Sequence, residues 1–95
     1  MTTVRFGSVW DAIEDSAAVA ASFKLRAQLA SAILDEVARR KLTQQRAAVL
    51  MGVTQPRVSD LVRGRLDLFS LDTLVDLAAR LGLEARVALT RRRAA

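Results

Sequence analysis

Apolar residues recur with helical spacing along most of the chain. The longest stripe has gaps of four, three, four and three residues and predicts a helix from about residue 16 to about residue 41. Asp15 or Ser16 can cap this helix by accepting hydrogen bonds from the amides of its first turn. The stripe consists of Phe23, Ala27, Ala30, Leu34 and Val37, and it is widened by Leu29 and Ile33.

Two shorter helices joined by a glycine turn are predicted over residues 43–64. Thr43 can cap the first helix, and Gly52 can take the positive φ that a tight turn after a helix requires. Thr54 can cap the second helix, residues 55–63. Small side chains on the first helix let the second one cross it closely, and its apolar face consists of Ala47, Ala48 and Met51. This spacing is typical of a DNA-binding helix-turn-helix.

The second of these helices has two faces of different chemistry. One side is apolar and is expected to pack inward through Val58, Leu61 and Val62. The other side is polar, and Gln or Arg in the first turn of such a helix can bond adenine or guanine in the major groove. We therefore expect base readout by four residues, with the first two as the main readers: Gln55, Arg57, Ser59 and Asp60.

Asp60 has two candidate roles. Its carboxylate could accept a hydrogen bond from cytosine N4, although its charge opposes nearby phosphates. It could instead orient Arg57 or Arg63, each of which lies three residues away on the same helix. Both roles stay open at this point.

After Gly64, a short loop leads to a helix over residues 70–81 that closes the bundle. Ser70 can cap this helix, Phe69 can staple onto Leu74, and Gly82 can end it. Its inner face is expected to consist of Leu71, Leu74, Val75, Ala78 and Leu81.

Over residues 83–90, apolar residues occupy every second position and no longer recur with helical spacing, which predicts a β-strand. Since no second strand is evident, antiparallel pairing with the same segment of another copy is the economical solution. Pairing with residues 4–6 and a folded-back coil are the alternatives. The expected fold class is therefore all-α, a five-helix bundle with a helix-turn-helix, plus a C-terminal β-strand that pairs across a homodimer. The dimerisation residues would be Leu83, Ala85, Val87 and Leu89.

Composition narrows the function. The 95 residues suit a single domain, and they include no cysteine, histidine or tyrosine, which removes the usual nucleophile–histidine pairs and most transition-metal sites. We expect no enzyme, cofactor, metal or small-molecule substrate. No secretory signal or membrane-spanning run is evident, so we expect a cytoplasmic protein.

The formal net charge of +5 suits a polyanionic partner. Basic and hydroxyl-bearing residues around the two short helices are candidates for contacts to DNA phosphates, which position a protein without reading sequence. They are Thr43, Gln44, Thr54, Arg63, Arg65 and Ser70. The basic tail, residues 91–95, could add to these contacts or simply be a solvated end.

Residues 42–82 carry a resemblance to a known family. The matching positions are Leu42-Thr43-Gln44, Ala47-Ala48, Met51-Gly52, Thr54-Gln55-Pro56-Arg57-Val58-Ser59, Leu61, Arg63-Gly64, Phe69-Ser70 and Leu81-Gly82. The chain resembles the Xre/Cro helix-turn-helix family, whose fold is lambda-repressor-like, and within it the HigA-type antitoxins. This resemblance implies a homodimeric repressor that binds a near-palindromic operator in double-stranded DNA and neutralises a RelE-like (HigB-like) ribonuclease toxin encoded beside it. A phage or plasmid repressor without a toxin, or an interaction module that has lost DNA binding, is the alternative.

Two apolar features are candidates for toxin binding. Val49 and Leu50 occupy positions where antitoxins of this type usually carry exposed polar residues. They could form an apolar patch for a partner or for the second subunit, or they could be local variation of the core. The N-terminal segment, residues 1–15, holds the others, and there Ser8 and Asp11 resemble a capping box for a separate short helix. These large side chains could fill pockets on a basic partner or cover the long helix, and they include Phe6, Val9, Trp10 and Ile13.

Overall fold

The part of the chain that the structure describes is all-helical, which confirms the all-α prediction. The structure, a computed structural model, describes the backbone of residues 9–91 and the side chains of residues 16–91. Within these limits the chain forms four α-helices and one short 3₁₀ turn. They are α1 (Val9–Arg39), α2 (Gln44–Met51), α3 (Gln55–Val62), the 3₁₀ turn Leu66–Leu68 and α4 (Leu71–Arg80).

Helix α1 runs without a break for 31 residues. The prediction of a separate short helix, followed by a new one capped at Asp15 or Ser16, is therefore wrong. No glycine or proline lies between residues 8 and 41, and alanine-rich sequence around residue 18 favours continuation, so the capping residues remain inside the helix. The described chain accordingly has four α-helices where five were expected.

Every helix contributes to one hydrophobic core. Ile33 of α1, Met51 of α2 and Leu61 of α3 are almost fully buried. The largest share comes from the loop after α3 and from α4, namely Leu66, Phe69, Leu74, Leu77, Ala78 and Leu81. Because α1 packs mainly against α4, these two helices form the frame on which α2 and α3 rest.

Three apolar residues that were predicted to face inward lie at the edge of the core. Phe23 is 47% exposed, Val62 is 49% exposed and Val75 is 42% exposed. Val62 is the last residue of α3, and in α4 Leu77 takes the buried place expected for Val75. Helical spacing defines a broad face, and only the middle of each face is covered by a neighbouring element.

An ion-pair cluster joins the ends of α1 and α4. Glu36 receives hydrogen bonds from the guanidinium groups of Arg39 and Arg40, each with a shortest nitrogen-to-oxygen distance of 2.6 Å. Arg40 also donates to the backbone carbonyl of Leu81, just past α4. The hydrogen bonds from Arg39 and then from Arg40 lower the pKa of Glu36 from 4.5 to about 2. Glu36 thus orients the arginine that ties the two frame helices together.

The segment after α4 has no regular secondary structure up to Arg91. The amide of Leu83 donates to the Ala78 carbonyl at 2.9 Å, and this is the last backbone hydrogen bond of the described chain. The expected strand is therefore not formed in the described part of a single chain. A lone extended segment has no neighbour with which to form a ladder.

By length and composition alone, the segment Ser16–Arg39 of α1 would be sufficient to cross a membrane. Its second half nevertheless supplies Ala30 and Ile33 to the core, and Arg26, near its middle, donates hydrogen bonds to the loop before α4.

Replacing Glu36 with glutamine is expected to lower the melting temperature in a pH-dependent way. The pKa of this carboxyl is lower in the folded protein than its ordinary value, so its pairing stabilises the fold above about pH 4.5 and is lost as the pH falls to about 2. The difference in melting temperature between wild type and Glu36→Gln should be constant near neutrality and shrink across that window, as followed by circular dichroism. Asp35→Asn, at an exposed neighbouring carboxylate, is the matched control. A difference that does not change with pH would contradict the assigned role of the cluster.

Candidate nucleic-acid interface

Helices α2 and α3 form the predicted helix-turn-helix. The Thr43 hydroxyl accepts a hydrogen bond from the Arg46 amide at 3.0 Å, which confirms the predicted cap of α2. Gly52 ends α2 with φ at 72°, the left-handed conformation that glycine adopts without strain. The next amide, that of Val53, returns to the Ala48 carbonyl at 3.0 Å and closes the turn.

The crossing of the two helices depends on small buried side chains. Ala47, Ala48 and Met51 of α2 are buried, as predicted, in the same core as Val58 and Leu61 of α3, and the two helices are in contact. This packing turns the opposite side of α3 toward solvent. These apolar contacts therefore determine how deeply the candidate recognition helix packs and which of its sides is exposed.

The solvent-facing side of α3 and the start of α2 enclose a shallow, open depression of about 370 Å³. It brings together three of the predicted base-reading residues and two of the predicted phosphate-contacting residues. Its lining consists of Gln44, Gln55, Pro56, Ser59, Asp60 and Arg63. Amide, hydroxyl, carboxylate and guanidinium groups thus share one concave surface, which can both donate hydrogen bonds to base edges and accept them.

Arg57, the other predicted base reader, lies outside this depression. Its guanidinium carbon is 4.1 Å from the centre of the Phe69 ring, and its Nη1 donates to the Leu68 carbonyl at 3.1 Å. Sequence reasoning missed these contacts, because Arg57 and Phe69 are 12 residues apart and belong to different elements.

The hydroxyl groups that were predicted to contact phosphates differ in the hydrogen bonds that they already make within the protein. Ser70 caps α4 by accepting from the Thr73 amide at 3.0 Å, and its own proton goes to the Thr73 hydroxyl at 2.9 Å. Thr54 begins α3 with an extended backbone but makes no side-chain capping bond, contrary to the expected cap. Thr43 accepts from its helix and can still donate. Within the described residues, Thr43 and Thr54 are therefore better placed than Ser70 to donate to a phosphate.

The predicted basic contacts lie at the far end of α3. Arg63 is exposed and follows the last residue of the helix. Arg65 is also exposed, and its Nε lies 3.8 Å from a carboxylate oxygen of Asp67. An exposed pair at this distance holds its partners weakly, so Arg65 can turn to another anion at small cost.

Arg26 is a residue of this region that sequence reasoning missed. Its Nη1 donates to the carbonyls of Leu66 at 3.0 Å and Phe69 at 3.4 Å, and its guanidinium carbon lies 5.6 Å from the centre of the Phe23 ring. The signal available in the sequence was an arginine inside an apolar stripe, three residues after Phe23 and four before Ala30. Arg26 fixes the loop that connects α3 to α4.

The candidate partner-binding residues are only partly described. Val49 is 66% exposed and Leu50 is also exposed, so these residues are surface residues and not variations of the core. Phe6 and the side chains of Val9, Trp10 and Ile13 lie outside the described residues, as do residues 92–95 of the tail.

The predicted dimerisation residues lie beside an apolar groove. Leu83 is half-buried, whereas Ala85, Val87 and Leu89 are exposed. Leu83, Ala85 and Val87 line this groove, of about 400 Å³, which is shared by α1, α4 and the C-terminal segment. Other apolar residues of its lining are Leu25, Leu29, Leu71 and Val75.

Comparison with known proteins agrees with this geometry. No curated protein matches the chain. A family model described as a helix-turn-helix domain matches residues 12–90, which is most of the chain and includes α2, α3 and α4. The chain therefore belongs to the helix-turn-helix domain family.

Proposed function

We propose that this protein is a sequence-specific repressor that binds double-stranded DNA in the cytoplasm. The observation that carries the proposal is the depression on α3, where Gln55, Ser59 and Asp60 lie together with Gln44 and Arg63. Amide and carboxylate groups on an exposed helix match the donors and acceptors of base edges in the major groove. The net charge of +5 supplies the sequence-independent attraction to phosphates.

In the proposed complex, α3 lies in the major groove and the surrounding residues fix its depth and angle. Thr43, Thr54 and Gln44 lie near the start of α2 and α3, whereas Arg63 and Arg65 follow the end of α3. Phosphate contacts from both ends hold a recognition helix in register. Ser70, at the start of α4, would add a further phosphate contact.

We further propose that two copies act together. Residues 84–91 carry alternating apolar side chains, and their backbone has no hydrogen bond partner within the described chain. Pairing with the same segment of a second copy would satisfy those groups, and the apolar groove beside it would be covered by the ribbon. A twofold pair places its recognition helices about one DNA turn apart and requires a near-palindromic operator.

The resemblance to HigA-type antitoxins supports a second activity, neutralisation of a RelE-like ribonuclease. The observation that favours it is exposed apolar surface on α1 and α2. Val49 and Leu50 are exposed on α2, and Val19 and Phe23 are exposed on the first half of α1. Apolar side chains that the fold leaves exposed can be buried against a protein partner, which favours association.

Gln55→Ala is expected to cost roughly 1–3 kcal/mol of affinity for the preferred sequence and to relax preference at one base pair. Arg65→Ala should weaken binding to all sequences alike and make the salt dependence shallower. Both results can be measured by fluorescence anisotropy with a duplex selected from a random pool. Gln45→Ala, at an exposed glutamine of α2 outside the depression, is the matched control. Equal losses on selected and random duplexes for Gln55→Ala would remove Gln55 from base readout.

Truncation after Gly82 is expected to convert a dimer into a monomer in analytical ultracentrifugation, because it removes the segment that would pair. Val87→Lys should have the same effect, since it places a charge on an apolar residue that lines the groove. Ala88→Lys, with the same charge on the adjacent residue, is the matched control. A truncated protein that stays a tight dimer would exclude the C-terminal segment as the main interface.

Deletion of residues 1–15 is expected to abolish co-purification with the RelE-like ribonuclease and to leave DNA binding intact. Ser16 to Ala20 of α1 are exposed, so the deletion ends well before the buried part of the helix. Loss of both activities would indicate a structural role for the segment. If no such ribonuclease is encoded beside this chain, the antitoxin proposal fails and a repressor without a toxin remains.

A further inference from the structure

The loop between α3 and α4 is held by arginines from two different helices. Arg26 of α1 donates to the carbonyls of Leu66 and Phe69, while Arg57 of α3 donates to the carbonyl of Leu68. All three carbonyls lie within residues 66–69. These hydrogen bonds therefore hold the loop in place relative to both α1 and the candidate recognition helix α3.

The ring that Arg57 contacts belongs to the hydrophobic core. Phe69 is 2% exposed, and the guanidinium of Arg57 lies over its face at 4.1 Å. This distance is within the range of favourable cation–π contacts. A planar guanidinium can stack with its face and donate from its edge at the same time, and Arg57 does both here.

In the structure the Arg57 guanidinium is engaged by the Phe69 ring and the Leu68 carbonyl, away from the depression on α3. The depression on α3 is lined by Gln55, Ser59 and Asp60, and Arg57 is absent from its lining. The loop that Arg57 holds, by contrast, begins at Arg65 and ends at Ser70, two of the predicted phosphate contacts. Arg57 thus connects the base-reading helix to the loop whose residues would contact DNA phosphates.

We propose that Arg57 is a positioning residue, which locks the recognition helix to the loop of residues 65–70, and that base readout falls to Gln55, Ser59 and Asp60. The inference rests on the proposed DNA binding. It assigns to Arg57 a uniform effect on affinity and no effect on sequence preference.

The first test uses the wild-type protein, free and bound to a duplex selected from a random pool. A proton over an aromatic ring experiences a ring current, so the Arg57 δ and ε protons should resonate upfield in NMR spectra of the free protein. Phe69→Leu supplies the unshifted reference. The shift should persist in the complex. Its loss on DNA binding, or its absence in the free protein, would overturn the proposal.

The second test compares Arg57→Ala with Arg57→Met on the selected duplex and on duplexes that each carry one changed base pair. Arg57→Ala should weaken binding to every duplex by one factor, roughly two- to fivefold, the value of an exposed cation–π contact. Arg57→Met keeps the stem and can contact the ring, so it should recover most of the loss. A base-reading Arg57 would instead give a loss of roughly 5- to 150-fold confined to the duplexes that retain its base pair, with no recovery by methionine.

A third measurement separates positioning from a direct phosphate contact. The salt dependence of binding should keep its slope in Arg57→Met, whereas loss of a phosphate contact would reduce the slope by about one unit. Discrimination between duplexes by the wild-type protein shows whether it reads sequence, and Gln55→Ala should change this preference at one base pair. If the wild-type protein does not discriminate between duplexes, the proposed function fails, while the NMR shift in the free protein still decides whether Arg57 is held on Phe69.

Discussion

The geometry of the candidate DNA-binding surface depends on the close crossing of α2 and α3. Helix α3 has only 8 residues, and a helix of this length is not stable in water by itself. It buries Val58 and Leu61 against α2, whose Ala47 and Ala48 leave room for a close approach. Larger side chains at the alanines would push α3 outward. The two alanines and the glycine turn are therefore the constraint from which the exposed polar face follows.

Two buried apolar residues do not by themselves determine how α3 is rotated and tilted. Arg57 extends from its first turn to Leu68 and Phe69, and Arg26 holds the same loop from the side of α1. Backbone carbonyls of a loop need partners, and two arginines supply them here. Apolar packing thus fixes the depth of the helix, and these polar contacts fix its direction.

The parts of the fold that could be predicted from sequence are those determined by neighbours along the chain. The caps at Thr43 and Ser70 and the turn at Gly52 depend on residues only a few positions apart, and all three were confirmed. The break expected at Asp15 and Ser16 failed because a capping residue permits a helix to begin without requiring it. The contact of Arg57 with Phe69 joins separate elements, so no local pattern indicates it. Strand pairing of residues 83–90 depends on a second molecule and cannot be decided within one chain.

The contacts of Arg57 also narrow the role of Asp60. Sequence left two roles open, acceptance of a hydrogen bond from cytosine and orientation of a nearby arginine. Arg57 lies over Phe69, and within the described chain no ion pair joins Asp60 to Arg57 or to Arg63. The carboxylate is instead part of the depression that contains Gln55 and Ser59. In the proposed complex it repels phosphates and base acceptors and is satisfied only where a base donates, so it restricts the sequences that fit at the expense of general affinity.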